Sequence, residues 1–239
     1  MKNVNTMGQP IGWPVPDWTA AHQPTTKVLE GQYCRLERLT AKDHSDPLFQ
    51  AFGADRDGNI WTYLPHGPFA DAEAHRIWAA SAADTSDPYF MAIRDLSTGA
   101  VTGHAALMRI TPEAGTIEVG NINYAPALQR TKAATEAMYL LARHVFEDLG
   151  YRRYEWKCDA LNAGSRKAAA RLGFTFEGIF RQALVYKGRN RDTAWFSMLD
   201  SEWPQIKQGF ERWLAQENFD QGGNQRTSLQ TLANTLEAN

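Results

Sequence analysis

Residues 125–137, APALQRTKAATEA, decide the fold of this chain. They connect a strand-like run at 116–124 to a long helical pattern that starts near Thr131. A strand that turns directly into a helix leaves the first helix amides unpaired, and the positive end of the helix dipole lies behind them. Because Arg130 and Lys132 lie in the same turn, the segment predicts a cradle for phosphate oxygens.

The helix that leaves this turn has the clearest helical pattern in the sequence. Its apolar positions fall on one face over 131–149, and Gly150 is placed to end it. A second informative segment, DALNAGSRKAAARLGF at 159–174, follows one helix and one strand later. Asn162 is placed to cap a helix within it, and Gly173 to stop that helix. Together the two segments predict a strand–helix unit that grips a phosphate-bearing cofactor.

Alternating and periodic apolar residues predict the other elements. Strands are expected at 33–39, 89–94, 100–110, 116–124, 153–159, 174–180 and 193–199, and helices at 43–54 with Asp43 as N-cap, 71–83 with Asp71 as N-cap, 131–149, 162–172 and 203–216. From pattern alone, this order indicates a single mixed α/β domain.

Three motifs carry a resemblance to a known family. They are Glu118-Val119-Gly120, QRTKAA at 129–134, and Asn162-x-x-Ser165 closing on Leu172-Gly173-Phe174. These motifs resemble the GNAT N-acetyltransferases, and more narrowly the RimJ/RimL-like branch, which acetylates amines with acetyl-CoA. The resemblance spans about 31–204. It departs at Lys132, which stands where the family pattern has its first glycine; the side chain either obstructs the approach of the pyrophosphate or pairs with a phosphate.

The resemblance implies an α/β (α+β) architecture, the GNAT acyl-CoA N-acyltransferase fold. Its central mixed sheet of about seven strands would be flanked by helices. The acetyltransferase domain is predicted at 31–217. An extended arm at 1–30 is expected to pack its tryptophans, Trp13 and Trp18, on that domain, because solvated indole rings are costly. A polar tail at 218–239 carries a weak helical stripe of Leu229, Leu232 and Leu236.

The resemblance also implies the residues of the cofactor site. Backbone groups of Asn121, Ile122 and Asn123 would meet the pantetheine and the oxyanion, and the loop residues Gln129, Arg130, Thr131, Lys132, Ala133 and Ala134 would hold the pyrophosphate. Asn162 would contact the pantetheine arm, and Ser165 the sulfur, as an acid for the leaving thiolate. Arg166 would reach the phosphates, or would remain on a solvated helix face.

Glu118 is the candidate base for the reaction. A lysine-like amine has a pKa near ~10.4, so deprotonating it at neutral pH costs roughly 4–5 kcal/mol, against about 1 kcal/mol for an α-amine. A carboxylate, directly or through water, accepts that proton. Two alternatives stay open: a structural glutamate paired with a lysine, and an ordered water as the base.

The segment WTYLPHGPF at 61–69 resembles the family's substrate-side loop. Trp61, Tyr63 and His66 would line the amine pocket, or would only pack the loop down. Cys158 lies at a strand end near the expected thioester, which leaves a covalent acyl-enzyme as an alternative to direct transfer. No metal is expected, because the histidines show no metal-binding spacing such as HExxH.

Composition limits the remaining classes of partner. The chain has 239 residues, 43% of them hydrophobic, and a formal net charge of −2, so we expect no general attraction to nucleic acid or to anionic membranes. No apolar run approaches about 18 residues, and the N-terminus lacks a signal-peptide core. Cys34 and Cys158 are too few for a disulfide framework, which favours a reducing cytoplasm. The oligomeric state stays open, a homodimer included.

These observations predict an acetyl-CoA-dependent N-acetyltransferase that acts by direct transfer on a primary amine, either a protein N-terminus or a small molecule. Two alternatives remain within the fold: a CoA-binding sensor or scaffold without turnover, and an acyltransferase with a different acyl donor. A nucleotide-binding α/β domain is disfavoured, because the loop lacks the glycines of GxGxxG or GxxxxGK[ST].

Overall fold

A computed structural model describes residues 3–234. One sheet runs through the molecule, with strand order β1-β2-β3-β4-β5-β6-β8-β7. Its strands are β1 Val28–Glu30, β2 Cys34–Arg38, β3 Tyr89–Asp95, β4 Val101–Thr111, β5 Thr116–Tyr124, β6 Arg153–Asp159, β7 Thr175–Tyr186 and β8 Arg189–Leu199. The β5–β6 pair is parallel and the other neighbouring pairs are antiparallel.

Helices cover both faces of this mixed sheet. They are α1 Ala41–Phe52, α2 Ala72–Asp84, α3 Lys132–Arg143, α4 Ala163–Arg171, α5 Trp203–Leu214 and α6 Leu229–Asn234. The predicted α/β fold is therefore confirmed, with eight strands rather than seven. The extra strand is β1, whose three residues are too few to show an alternating pattern and are held by pairing with β2.

Two apolar cores lie on opposite faces of the sheet. The larger core packs α3, α4 and α5 on one face, around residues such as Leu107, Val119 and Phe196. The smaller core packs α1, α2 and their connecting loop on the other face, around residues such as Trp61 and Ala106. Met108 follows Ala106 on the same face and pairs with Glu118 of β5, so Glu118 shares the α1–α2 face. We call this face the acceptor face.

The structure corrects two helix boundaries and confirms two caps. Thr40, not Asp43, caps α1: its extended backbone (φ −131°) precedes the helix, and its hydroxyl accepts from the Asp43 N–H. The α-helical part of α3 ends at Arg143 and continues as a π-helical turn to Asp148, earlier than the predicted residue 149. Asp71 and Asn162 cap α2 and α4 as predicted.

The two ends of the chain differ in how they pack. Trp18 donates its indole N–H to the Glu113 carbonyl, whereas Trp13 is 71% exposed, so its predicted packing on the domain is wrong. At the other end, Leu229 is buried within α6 against α5, and Leu236 lies outside the described residues. Within 3–234, no helix has both the length and the apolar character that a membrane span requires.

Candidate functional site

A cleft opens between β5 and β6. Their pairing covers four residues on each strand and ends at Val119 opposite Trp156. Beyond this point β5 runs on to Tyr124 and β6 to Asp159 without pairing to one another. Unpaired strand edges offer N–H and C=O groups to an extended ligand. The cleft therefore has the form that a linear amide-bearing chain such as pantetheine would fill.

The N-terminus of α3 lies at the end of β5. Thr131 caps the helix by accepting from the Ala134 N–H at 3.1 Å, and Arg130 has a left-handed backbone with φ +64°. In the described chain, the N–H groups of Arg130, Lys132 and Ala133 donate to no protein acceptor. Successive free amides at a helix N-terminus form an anion-binding concavity. This part of the predicted loop therefore fits a pyrophosphate.

Side chains of the same loop make other contacts. Gln129 folds back and donates to the Tyr124 carbonyl at 3.1 Å. The Lys132 ammonium lies 3.9 Å from the centre of the Phe219 ring and 5.2 Å from that of Tyr33. A cation over aromatic faces is attracted by the ring quadrupole. Lys132 thus connects the loop to the C-terminal segment, and the predicted phosphate role of its ammonium finds no support in this arrangement.

Glu136 fixes the far side of the same helix. Its buried carboxylate accepts from the backbone N–H groups of Gln32, Tyr33 and Cys34, at 2.8, 2.6 and 2.7 Å. Three charge-assisted hydrogen bonds to one carboxylate hold the turn before β2 against α3. The orientation of α3 is therefore set by contacts distant in sequence.

The start of α4 lines the other side of the cleft. Asn162 accepts from the Ser165 N–H, and the Ser165 hydroxyl accepts from the Trp156 indole N–H at 2.9 Å. Arg166 donates to the Ala160 carbonyl at 3.3 Å. Ser165 therefore lies next to the residue where the β5–β6 pairing ends, at a place where a sulfur atom in the cleft would pass.

Cys158 is buried in the same region, with 6% of its surface exposed. Burial raises the pKa of the Cys158 thiol, although hydrogen bonding with Ser165 opposes this. A thiol rather than a thiolate is a weak nucleophile. The electrostatics of the site therefore disfavour the covalent acyl-enzyme alternative.

Glu118 lies at the closed end of the cleft and is 2% exposed. Arg109 donates to its Oε2 at 2.7 Å, and the Lys157 ammonium lies 3.0 Å from the same oxygen. Lys157 also contacts Glu155 Oε2 at 2.5 Å. Two cations on one oxygen offset the cost of burying the charged carboxylate.

The other carboxylate oxygen of Glu118, Oε1, is not engaged by Arg109 or Lys157. Within residues 3–234, Oε1 has no hydrogen-bond partner. A Cβ added at Gly120 would lie 3.3 Å from Oε1 and 2.5 Å from the Met108 sulfur. The absence of a side chain at Gly120 therefore keeps space open beside the oxygen that remains free to accept a proton.

The predicted oxyanion segment carries an irregular backbone. The β4–β5 register shifts between His104 and Ala106, and Asn121 has φ +48°. Such a bulge turns peptide groups out of the sheet plane. Asn121 and Ile122 are half-buried at this point, while Asn123 is buried opposite His104. The bulge thus turns peptide groups of this segment out of the regular β4–β5 ladder.

The predicted substrate loop lies over the acceptor face. Trp61 is buried, its ring against Phe52 and Phe69, and its carbonyl accepts from the Lys187 ammonium at 2.7 Å. Tyr63 donates to the Leu161 carbonyl at 3.3 Å. Trp61 thus packs the loop down, whereas Tyr63 bridges the loop to the start of α4.

His66 belongs to a cluster of imidazole and indole rings beneath this loop. Its ring stacks on Trp78 at 4.7 Å and lies 6.0 Å from His104. Burial, with Lys187 and His75 adding, lowers the pKa of His66 to about 4. Burial also lowers the pKa of His75 to about 4 and that of His104 well below its ordinary value. These rings are neutral at physiological pH, so they form an uncharged wall.

Sequence reasoning missed Arg109 and Lys157. Both reach Glu118 from neighbouring strands, and contacts between strands leave no pattern along one chain. One clue was present, since charged and apolar residues alternate along 153–159, which puts Glu155 and Lys157 on one face of the strand. In the part of the chain described, no group of three or more His, Cys, Asp or Glu side chains is arranged to hold a metal ion.

Comparisons with known proteins agree with this geometry. Residues 34–175 match the model of the acetyltransferase (GNAT) domain family. No curated protein matches the chain.

Two solved structures are similar to this chain over most of its length. A GCN5-related N-acetyltransferase from Brucella melitensis is 49% identical, with a TM-score of 0.90 over 92% of this chain and 100% of its own. A probable GNAT-family acetyltransferase from Chromobacterium violaceum is 40% identical, with a TM-score of 0.76 over 82% of this chain and 98% of its own.

A more distant structure shares the fold. The microcin C7 self-immunity acetyltransferase MccE, solved with acetyl-CoA and AMP, is 18% identical, with a TM-score of 0.62 over 71% of this chain and 93% of its own.

Proposed function

The chain belongs to the GNAT acetyltransferase family, and we propose that it moves an acetyl group from acetyl-CoA directly to a primary amine. One observation carries this proposal. The β5–β6 pairing ends at Val119 and Trp156, so that a cleft opens between a helix end with free amides and the buried carboxylate of Glu118.

The chain's own groups fit CoA along this cleft. The free amides of Arg130, Lys132 and Ala133 would hold the pyrophosphate, as they lie at a helix N-terminus. Asn162 and Ser165 would contact the pantetheine arm and the sulfur, with Arg166 beside them. Bound acetyl-CoA supplies an acetyl group activated as a thioester.

Glu118 would take the proton from the attacking amine through Oε1. Arg109 and Lys157 hold Oε2, which fixes the carboxylate plane and leaves Oε1 toward the space beside Gly120. As the amine attacks, a backbone N–H of the bulged segment at 121–123 would stabilise the oxyanion, which is typically worth about 3–4 kcal/mol. The Ser165 hydroxyl would give its proton to the departing thiolate and regain one from solvent, while Glu118 passes the amine's proton to solvent.

Direct transfer is preferred over a covalent intermediate. The one buried thiol near the cleft among the described residues, Cys158, has a raised pKa and is protonated at neutral pH. The acceptor is a primary amine of a protein N-terminus or of a small molecule; the resemblance of the motifs to the RimJ/RimL-like branch supports this proposal.

The experiment is acetyl transfer by purified protein over a panel of amines, with product mass and free thiol measured together. We expect one thiol per acetylated amine and no acetylated protein intermediate by intact mass. Glu118→Gln should lower this turnover. The exposed Glu113→Gln variant, five residues earlier in the chain, is its matched control and should keep full turnover. Absence of transfer to every amine, with CoA still bound, would contradict the proposal.

A sensor or scaffold that binds CoA without turnover is the second candidate. One observation favours it: Glu118 is engaged by two cations, as a structural carboxylate would be. The same panel separates the two candidates, and a longer acyl-CoA in place of acetyl-CoA tests the alternative acyl donor.

A further inference from the structure

Arg191, at the start of β8, is a cation without an anion. Its side chain is half-buried, and its Nε atom is buried with no hydrogen-bond partner. Among residues 3–234, no carboxylate lies within ion-pair distance of its guanidinium, and no acceptor bonds any of its nitrogens. A buried donor left unpaired is unfavourable, and more so when it is charged. An acceptor on a bound ligand would satisfy this unpaired donor.

Strand register places Arg191 on the acceptor face. Arg191, Thr193 and Trp195 alternate along β8, so their side chains share one face. The Trp195 ring lies 4.0 Å from the Lys157 ammonium, which in turn lies 3.0 Å from Glu118. Arg191 therefore lies on the same side of the sheet as the candidate base.

Arg191 also lies at the open end of the cleft. Thr193 pairs with Asp159, the last residue of β6. Because β8 runs antiparallel to β6, Arg191, two residues before Thr193 in the chain, lies beyond the end of β6, toward the mouth of the cleft. The amides at the start of α3 belong to the opposite face of the sheet, where α3 packs. Arg191 and these amides therefore lie on different faces of the sheet.

Neighbouring polar groups at this mouth are unpaired as well. The Thr193 hydroxyl and the Asn123 amide nitrogen are buried without hydrogen-bond partners, on residues that are 4% and 2% exposed. The Tyr186 ring lies 5.7 Å from the Arg191 guanidinium. Arg191 and Thr193, two residues apart on one face of β8, therefore present two unpaired donors, which suits a ligand with several acceptor oxygens.

The acidic groups at the mouth are already engaged with other donors. Asp159 accepts from Tyr186 and from the Leu161 N–H. Asp192 accepts from Asn190 and from the Gln182 N–H. No carboxylate on these elements therefore turns toward Arg191.

We propose that Arg191 binds an anionic group, a carboxylate or a phosphate, on the molecule whose amine is acetylated. This inference rests on the proposed function, since it names the class of acceptor for the same site. A guanidinium matches the planar pair of oxygens of either anion. The acceptor is then an amine with an anionic group within reach of the cleft mouth, rather than a polyamine or an alkylamine.

The test compares matched acceptors in wild type, Arg191→Gln and Arg189→Gln. One pair is phenylalanine and its carboxamide, and the other is phosphoethanolamine and ethanolamine, so the two anions are separated. The ratio of kcat/KM for the anionic over the neutral member is formed for each protein. Comparing this ratio between proteins cancels the different amine pKa values within each pair. Arg189 is an exposed cation two residues away on the same strand and serves as the control for general charge.

Arg191→Gln should lower this ratio by about 10- to 100-fold for at least one pair, mainly through KM, as expected for the loss of a charge-assisted hydrogen bond. Arg189→Gln should leave the ratio within about threefold. Arg191→Gln should keep the wild-type midpoint of thermal unfolding and the wild-type affinity for CoA, because the guanidinium has no ion-pair or hydrogen-bond partner to lose and only a ring contact at 5.7 Å. An equal fall for both variants, or an unchanged ratio in Arg191→Gln, would overturn the proposal.

A binding measurement separates the failure of this inference from the failure of the proposed function. With CoA present, the anionic member of a pair should raise the unfolding temperature of wild type but not of Arg191→Gln. If no amine is acetylated yet this difference appears, the proposed function fails and the anion site stands. If amines are acetylated and no anionic acceptor shows the difference, the anion site fails alone.

Discussion

Replacing Lys132 by methionine tests how the phosphate loop is built. The ammonium lies 3.9 Å from the Phe219 ring centre and 5.2 Å from that of Tyr33. Cation–π contacts are worth about 0.5–1 kcal/mol at exposed sites and about 2 kcal/mol when desolvated. For this half-buried side chain we expect a loss of about 1 kcal/mol in the free energy of unfolding, or a fall of about 2–4 °C in Tm.

Three variants isolate the contact. Lys132→Met keeps the apolar stem and removes the charge, Lys132→Arg keeps a cation, and Phe219→Leu removes the main ring. A double-mutant cycle between Lys132→Met and Phe219→Leu should give a coupling of about 0.5–1 kcal/mol from chemical denaturation. Lys132→Arg should recover most of the loss.

The Kd for CoA, measured in the same proteins, distinguishes the cation–π contact of Lys132 from a phosphate contact. If the loop holds phosphate by its amides, Lys132→Met should change the Kd for CoA by less than about threefold. If the ammonium turns to a phosphate instead, the loss should exceed about tenfold and shrink at high salt. A large salt-sensitive loss of affinity with an unchanged Tm would refute the cation–π assignment.

Three further predictions follow from single contacts. Glu136→Gln should cost about 2–4 kcal/mol in urea unfolding, because one carboxylate serves three backbone amides at 32–34; a cost below 0.5 kcal/mol, on the order of a neutral surface change, would contradict this. Hydrogen bonding from Arg94, opposed by burial and aided by His44, lowers the pKa of Glu37 to about 2. Its stabilisation is therefore complete above pH 4.5 and is lost as the pH falls toward 2, so the urea midpoints of wild type and Glu37→Gln should converge on acidification, and a constant gap would speak against it. Gly120→Ala should lower turnover at least about tenfold with CoA binding retained, because the added Cβ would displace the Met108 sulfur, 2.5 Å away, and crowd Glu118 Oε1 at 3.3 Å; wild-type turnover would show that this space is unused.

The local parts of the fold were predictable from the sequence. The predicted strands at 116–124 and 153–159 match β5 and β6 residue for residue. Their apolar runs are bounded by turn residues, and each connects directly to a capped helix. The caps Asp71 and Asn162 were found for the same reason, since an N-cap depends on residues within one turn.

Features that depend on distant contacts could not be predicted. Thr40 and Asp43 are both good capping residues three apart, and the backbone of Thr40 decides between them. The three residues of β1 gain their strand geometry from β2. The two cations on Glu118, from β4 and β6, likewise come from strand pairing.

Part of the candidate site depends on residues within one turn and is predictable from the sequence. Another part depends on contacts between residues that are distant in sequence and is not. The free amides of Arg130, Lys132 and Ala133 could be anticipated, because unpaired amides follow from a strand that turns into a helix. The side-chain contact of Lys132 with Phe219 could not, since 87 residues separate them in the printed sequence. The roles of the predicted site residues in binding and catalysis remain predictions for the experiments above.

The most direct test of the account is the pH dependence of acetyl transfer by Glu118→Gln. Turnover should be measured by product mass on a lysine-like amine and on an α-amine, from pH 7 to pH 10. We predict a loss of about 10²-fold or more for the lysine-like amine at pH 7, a smaller loss for the α-amine, and recovery as the pH rises and solvent deprotonates the amine. Wild-type turnover of the variant at pH 7, or an equal loss at every pH, would contradict Glu118 as the proton acceptor.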